Sequence, residues 1–340
     1  MDWGATGLEP LAGAQAPPAD GGAALLIHGG AWDIPDGEVD AHLDGLHRAL
    51  ARGQQLLQRG ARALEVCVET VAVLEAHPAF DAGRGAVLDR DGRPQLDAGV
   101  MDGQTLAWGA VAGVRTVAHP VRVARDLAFA DGQARLMVGE GAERFASECG
   151  HPYVDPERLV VPRERERWER LRGEGGYHTS AALAGGAPSG PPEASGGASP
   201  RGTVGCVARD RAGGLAAATS TGGAPFTRPG RVGDSPIVGS GFWASGDAAL
   251  SATGWGEAIA TVALCTRTAD SIGGGAAPEA AAAERLSQMR ETVRWPGAAP
   301  ATGGLIALDA RGRGGWAFTT PRMARGGWTP EAGAWAAVER

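Results

Sequence analysis

The chain has 340 residues, 43% of them hydrophobic, and a formal net charge of -7. That length allows one large domain or two ordinary ones, with ample apolar content for a core. The acidic balance argues against nucleic acid or an anionic membrane as main partners, and no apolar run approaches the roughly 18 residues of a membrane span. All 32 basic residues are Arg. The absence of Lys excludes a Schiff base and a P-loop lysine. Cys67, Cys149, Cys206 and Cys265 lie far apart with no CxxC, and read as buried free thiols in a reducing compartment. The His residues form no HExxH and no Cys/His cluster, so a zinc site is not expected. With no basic-then-apolar leader, the expected location is the cytoplasm.

In chain order, residues 1–22 are rich in Ala, Pro and Gly and read as a flexible extension. The folded domain is expected over 23–340. Ala23–His28 is an apolar run ended by Gly29 and Gly30, a buried strand. His28 reads as a packed, hydrogen-bonded residue, with catalysis as the alternative. Leu43, Leu46, Leu50, Leu56 and Leu57 recur at helical spacing over 39–59, and Gly60 stops that helix. Ala61–Ala76 is a second helix, ended by His77 and Pro78. Residues 81–103 alternate strand and turn, with Asp91-Gly92 as a hairpin signal. Their acidic residues lack EF-hand spacing, so turns account for them better than Ca²⁺.

Leu106–Val114 is a further strand, and helices start at Pro120 and Gly139. In Pro162–Arg172 basic and acidic residues alternate, the pattern of a solvated helix. Glu174–Gly202 is the composition break, rich in Gly, Ala, Ser and Pro, and cannot bury enough surface to order itself. A loop of this length inside a domain points to function or disorder. After it come strands at Thr203–Ala208, Leu215–Thr219 and Ala248–Thr253, then one apolar helix ending at Cys265. An Ala-rich helix at Pro278–Thr292 and last strands at Ala301–Leu308 and Gly314–Thr319 complete the chain. This order predicts two packed sheets with helices outside. No GxGxxG sits in a βαβ unit, which disfavours a dinucleotide fold.

The chemistry concentrates after the break. Thr203 follows Gly202 at the head of a strand, directly after the flexible tract. One reading is a latent nucleophile. Cleavage between Gly202 and Thr203 would free an α-amine with a reference pKa near ~8, and that amine would serve as base for the Thr203 hydroxyl. The other reading is a β-branched strand residue. Arg231 and Asp234 suit a free amino acid, the guanidinium on an α-carboxylate and the carboxylate on an α-ammonium; the alternative is a local surface ion pair. Thr253 and Gly254, at a strand-to-helix turn, offer a hydroxyl and a backbone N–H for an oxyanion, or an ordinary helix cap.

The pieces LIHGGAW (25–32), FDAGRGAVLDRDG (80–92), LDAGVMDG (96–103), GTVGCVARD (202–210), AAATSTGG (216–223), GRVGDSPIVGSG (230–241), SATGWGE (251–257) and GGLIALD (303–309) occur in one order. Through them the chain resembles the plant-type (type 2) L-asparaginases, or isoaspartyl peptidases, of the N-terminal-nucleophile hydrolases. The resemblance implies an α+β fold, a four-layer αββα sandwich, cleaved before Thr203 into fragments 1–202 and 203–340. It implies Thr203 as nucleophile, Thr221 as its hydrogen-bond partner, and Thr253 and Gly254 as the oxyanion hole. Arg231, Val232, Gly233 and Asp234, with Thr253, Gly254, Trp255 and Gly256, would line the substrate site. No cofactor is required. A structural Na⁺ is implied on the backbone carbonyls of Leu74, Glu75, His77, Phe80, Ala82 and Arg84, and the assembly is expected to be a homodimer of cleaved αβ protomers.

The expected substrates are L-asparagine and β-aspartyl dipeptides. The alternatives are glycosylasparaginase-like cleavage of a glycan–Asn bond, which the missing leader opposes, and an unprocessed amino-acid-binding protein, which the retained Thr203, Thr221 and Thr253 oppose. Three departures from the family pattern stand out. Asp81 replaces the usual Asn, Trp255 stands where a smaller residue is common and is expected to narrow the leaving-group side, and Thr319-Thr320-Pro321 replaces an Asn-Thr-Glu-like run.

Overall fold

The computed structural model describes residues 9–19, 21–173, 202–295 and 300–339. Two sheets of mixed α+β architecture organise them. The larger runs β13-β12-β2-β6-β7-β3-β4-β5, built from β13 (Gly333–Ala337), β12 (Arg322–Thr329), β2 (Ala24–Trp32), β6 (Val204–Arg209), β7 (Leu215–Thr221), β3 (Leu96–Asp102), β4 (Trp108–Val114) and β5 (Leu136–Val138). The smaller runs β1-β11-β10-β9-β8, from β1 (Leu11–Gln15), β11 (Gly314–Phe318), β10 (Gly303–Asp309), β9 (Ala248–Gly254) and β8 (Phe242–Ala244). Neighbouring strands pair antiparallel except β4 with β5.

Period-2 alternation divides the strand residues between cores. On β2, Leu25 and Ile27 join the cluster under α1 (Val39–Gln58), α2 (Ala63–Ala76) and α3 (Pro120–Ala128), while Ala24 and Leu26 face the other way. On β10, Leu305 and Ala307 pack beneath α7 (Leu264–Gly273) and α8 (Pro278–Thr292), and Ile306 and Leu308 face the opposite side. Ala24, Leu26, Val207, Ala217, Ala249 and Ile306 thus form a third core between the two sheets. At about 1.5–3 kcal/mol for each large apolar side chain removed from water, these three cores hold the sheets in place.

That middle layer also locates the site. Following the same faces along the strands, the apolar residues give way to His28 on β2, Gly205 on β6, Thr219 on β7 and Ser251 on β9. One step further lie Thr203, Thr221 and Thr253. The hydroxyl-bearing positions therefore gather at one end of the inter-sheet layer because they share a parity on neighbouring strands of the larger sheet and on β9 of the smaller one.

Several expectations are corrected. Leu11–Gln15 pairs with β11 and is not a flexible extension. The strands do not end at Thr319, since β12 and β13 follow and β12 pairs with β2. The single helix ending at Cys265 is two, α6 (Gly256–Val262) and α7, broken at Ala263, whose φ of 48° is left-handed. The charged helix α5 (Pro162–Gly173) is not wholly solvated, because Glu164 and Arg167 are buried. Cys149 is exposed, whereas Cys67, Cys206 and Cys265 are buried as expected. The helix from Gly139 is α4 (Gly139–Glu148). Glu174–Arg201, most of the composition break, lies outside the described residues. Among the described residues no helix is long and apolar enough to cross a membrane.

Candidate active site

Thr203 sits immediately before β6, only 7% exposed. Its Oγ1 donates to Thr221 Oγ1 at 3.1 Å, and Ser235 Oγ lies 3.5 Å away. Thr221 Oγ1 in turn accepts the Gly223 N–H at 3.0 Å, which fixes the turn after β7. Gly202 is pressed against Gly30. A Cβ on either would collide with the other's backbone, and Gly30 also has a φ of 104°, a conformation that suits glycine. The backbone on the Gly202 side of the Gly202–Thr203 bond is thereby closely packed.

Beneath Thr203 lies a buried polar chain. His28 Nε2 bonds Ser251 Oγ at 2.8 Å, Ser251 Oγ bonds Thr219 Oγ1 at 2.6 Å, and Thr219 Oγ1 donates to the Gly241 carbonyl at 3.2 Å. Burial pushes the His28 pKa down to about 3, which the nearby Thr203 backbone offsets only in part. His28 is therefore a neutral, packed residue, bonded to Ser251 and not to the Thr203 hydroxyl. Gly205 faces this chain because a side chain there would displace Ser251 and His28.

Thr253 closes β9. Its hydroxyl is fully buried with no hydrogen-bond partner among the described residues. Gly254 follows with a φ of 132° and packs on Gly303, and Trp255 N–H donates to the Thr302 carbonyl at 3.0 Å. The departure at Thr319 buttresses this turn, since Thr319 Oγ1 accepts the Gly303 N–H at 3.0 Å.

A small pocket open to solvent is lined by Thr203, Thr221, Arg231, Asp234, Ser235 and Gly254, with Gly223, Ala224, Gly233 and Gly256 completing it. Arg231 and Asp234 are not a surface ion pair. Arg231 Nε and Nη2 each donate at 2.9 Å to Glu257, and the Asp234 carboxyl is buried, its Oδ2 without a hydrogen-bond partner. Desolvation raises the Asp234 pKa to about 7 against the pull of Arg231, and raises that of Asp97 to about 6. Burial alone would lower the Arg231 pKa, but Glu257, aided by Asp234 and Asp97, leaves it raised. The site thus gathers three carboxylates about one guanidinium.

Three residues expected to line the site are absent from the pocket wall. Trp255 packs edge-on against Trp295, ring centroids 4.9 Å apart, in the core beneath α7 and α8, and its side chain also bonds the Glu257 carboxylate. Val232 is 40% exposed and absent from the pocket wall. Thr253 is fully buried. Sequence reasoning missed Ser235, Glu257 and Asp97. Each sits inside or beside a motif already singled out, next to Asp234, Gly256 and Leu96 respectively.

Asp81 lies on the neighbouring loop. Its Oδ1 accepts the Val87 N–H at 2.9 Å, and its backbone carbonyl accepts the Gly222 N–H at 3.0 Å, beside Thr221. The loop turns on Gly83 and Gly85, both with positive φ. A Cβ on Gly85 would stand 2.7 Å from the carbonyl oxygens of both Phe80 and Pro78, so carbonyls converge there. The Glu75 carbonyl accepts the Arg84 N–H at 2.8 Å, closing the loop. Of the six carbonyls expected to hold a cation, that of Phe80 converges there with the unexpected Pro78 carbonyl, while those of Leu74, Glu75 and His77 accept the His77, Arg84 and Phe80 N–H groups.

The family model described as Asparaginase matches residues 21–336. An isoaspartyl peptidase of Salmonella typhimurium is 41% identical over 309 residues, 89% of this chain and 94% of that protein. An isoaspartyl peptidase of Escherichia coli is 39% identical over 311 residues, 90% and 92% of the two chains. An isoaspartyl peptidase/L-asparaginase of Danio rerio is 36% identical over 300 residues, 88% and 90%. Matches of this extent show that the chain belongs to the type 2 asparaginase family.

Proposed function

We propose that the chain is an autoprocessed threonine hydrolase releasing L-aspartate from β-aspartyl dipeptides and L-asparagine. The observation that carries the reading is the Thr203 hydroxyl, 3.1 Å from that of Thr221, in a pocket also lined by Arg231 and Asp234. The names of the Salmonella, E. coli and zebrafish relatives support the substrate class. In maturation, Thr203 Oγ1 attacks the Gly202 carbonyl carbon, the amide nitrogen leaves as an α-amine, and water hydrolyses the resulting ester. The products are fragments 1–202 and 203–340 of one domain.

In turnover the freed amine takes the Thr203 hydroxyl proton while the oxygen attacks the β-carbonyl of the substrate. The oxyanion is held by the Thr253 hydroxyl and the Gly254 N–H, and the otherwise unpartnered Thr253 Oγ1 supports that role. The leaving amine or ammonia departs with a proton. Water then attacks the ester and frees aspartate. Arg231 receives the α-carboxylate and ionised Asp234 the α-ammonium.

The wider reading is the four-layer αββα sandwich, supported by helices packed outside both sheets, in a cytoplasmic homodimer of cleaved protomers. Na⁺ on the carbonyls of Leu74, Glu75, His77, Phe80, Ala82 and Arg84 would brace the loop that bears Asp81. The test is aspartate release from a β-aspartyl dipeptide, its α-linked isomer and L-asparagine. Release from the β-linked dipeptide and asparagine, lost in Thr203→Ala, is expected. Cleavage of the α-linked isomer alone would contradict the reading.

A further inference from the structure

No catalytic step uses Asp97, yet it is buried beside the substrate site. It stands on β3 directly across from Thr221 of β7. Paired residues share a face of the sheet. Asp97 therefore lies on the side that carries Thr221 and, at the head of the next strand, Thr203. On its other flank the pairing of β3 with β4 slips between Leu96 and Ala98. Ala112 and Gly113 thus oppose Asp97 alone, the arrangement of a β-bulge. Gly113 takes a φ of 64°, and its N–H donates to Asp97 Oδ1 at 2.8 Å.

The carboxylate also faces the substrate loop. The Arg231 guanidinium and the Gly233 N–H both stabilise its charge. Gly233 lies between Arg231 and Asp234, and all three line the pocket, whereas Asp97 is not on its wall. The same loop is held a second time from the start of β3, where Gln95 Oε1 accepts the Gly230 N–H at 3.0 Å. Gln95 and Asp97 stand on one face of the chain and bracket the loop at Gly230 and Gly233.

We propose that Asp97 is the positioning residue of the substrate grip: its carboxylate ties the Arg231–Asp234 loop to the β3–β4 bulge and so sets both gripping groups against Thr203. The inference rests on the β-aspartyl hydrolase reading and deepens it. Asp97 acts through the Gly233 backbone and Arg231. As a carboxylate it accepts from both N–H groups with the help of its charge; protonation weakens both contacts. From the loop, Arg231 attracts it and Asp234 repels it, and Glu257 of α6 holds the same Arg231. From β4 and β7 it meets the uncharged Gly113 and Thr221. Burial raises its pKa to about 6 against the pull of the Gly113 N–H, Arg231 and the Gly233 N–H. The grip should therefore weaken as pH falls through that value, below the range near 7 where Asp234 titrates.

The test is calorimetric binding of L-aspartate to the mature protein as pH is varied. Binding that needs both Asp97 and Asp234 ionised releases two protons at the acid end, so the slope of log Ka against pH should approach two below about pH 6. Asp97→Asn keeps the shape without the charge. It should mature into two fragments, lower that slope to one, and raise KM for a β-aspartyl dipeptide by about tenfold, the size of one charge-assisted hydrogen bond, with the loss in KM rather than in kcat. Gln95→Ala, which removes the other tether, should raise KM and keep the wild-type slope. A wild-type slope of one overturns the proposal, and this is decided on wild-type protein even where the variant fails to mature. Equal slopes in wild type and Asp97→Asn overturn it as well. So does a loss confined to kcat, which would place Asp97 with the nucleophile. Mature protein that neither binds L-aspartate nor hydrolyses the dipeptide overturns the hydrolase reading itself.

Discussion

Asp234 is expected to cost the free protein stability that its function requires, and Asp234→Asn should expose the trade. Desolvation raises its pKa from an ordinary 3.8 to about 7, so the native state binds a proton more tightly than the unfolded chain does. The sign follows. Below the unfolded value both states are protonated and the penalty is absent; it grows as pH rises and is complete above the folded value. At about 1.4 kcal/mol per unit, the ionised carboxyl destabilises the fold by about 4 kcal/mol at about pH 8.5 and about 2 kcal/mol at about pH 5.5. Asn removes the pH-dependent part and adds a pH-independent amide cost. Relative to wild type, the variant should therefore gain about 2 kcal/mol more at the higher pH than at the lower one. The assay is thermal or urea unfolding of both proteins at the two pH values, with kcat/KM measured in parallel. The variant should lose at least about tenfold in kcat/KM through the missing ammonium partner. An unfolding difference between variant and wild type that does not change with pH would refute the reasoning.

Gly30→Ala adds a side chain against Gly202 and strains a left-handed backbone, so cleavage should slow or stop, as gel analysis of the fragments would show; a normally processed variant would contradict the packing argument. Arg231→Ala leaves Glu257, Asp234 and Asp97 without their shared cation and removes the carboxylate grip, so kcat/KM on a β-aspartyl dipeptide should fall at least about tenfold while maturation persists. Asp81 stands against Gly222 beside Thr221, and its charge favours the protonated Thr203 amine. The acidic limb of kcat/KM should accordingly move to lower pH in Asp81→Asn, and superimposable limbs would remove Asp81 from the tuning of the nucleophile.

What was legible in the sequence follows from which forces are local. The helices at Val39–Gln58, Ala63–Ala76 and Pro278–Thr292 announced themselves by apolar spacing and by Gly or Pro at their ends. The hydroxyls at Thr203, Thr221 and Thr253 were visible as motif residues, and strand parity brings them together. The strand Arg322–Thr329 was not visible, because Arg325 and paired glycines interrupt its apolar pattern. It is buried nonetheless, with the Arg325 guanidinium over Trp316 and Phe318, between β2 and β13. Leu11–Gln15 is small-residue sequence whose place as a strand comes from pairing with β11, far along the chain. Glu257 was missed for a similar reason. Its partner Arg231 lies on a loop 26 residues away from that helix position, and nothing in the spacing pairs them. Trp255 was misplaced because its motif position says nothing of side-chain direction, which the Trp295 contact decides.

The central claim is that Thr203 becomes an N-terminal nucleophile. Intact mass spectrometry of the purified protein tests it most directly. The account predicts two fragments, 1–202 and 203–340, the second beginning with Thr203, and a single uncut chain for Thr203→Ala. A wild-type chain that stays whole while hydrolysing β-aspartyl dipeptides at its full rate would contradict it.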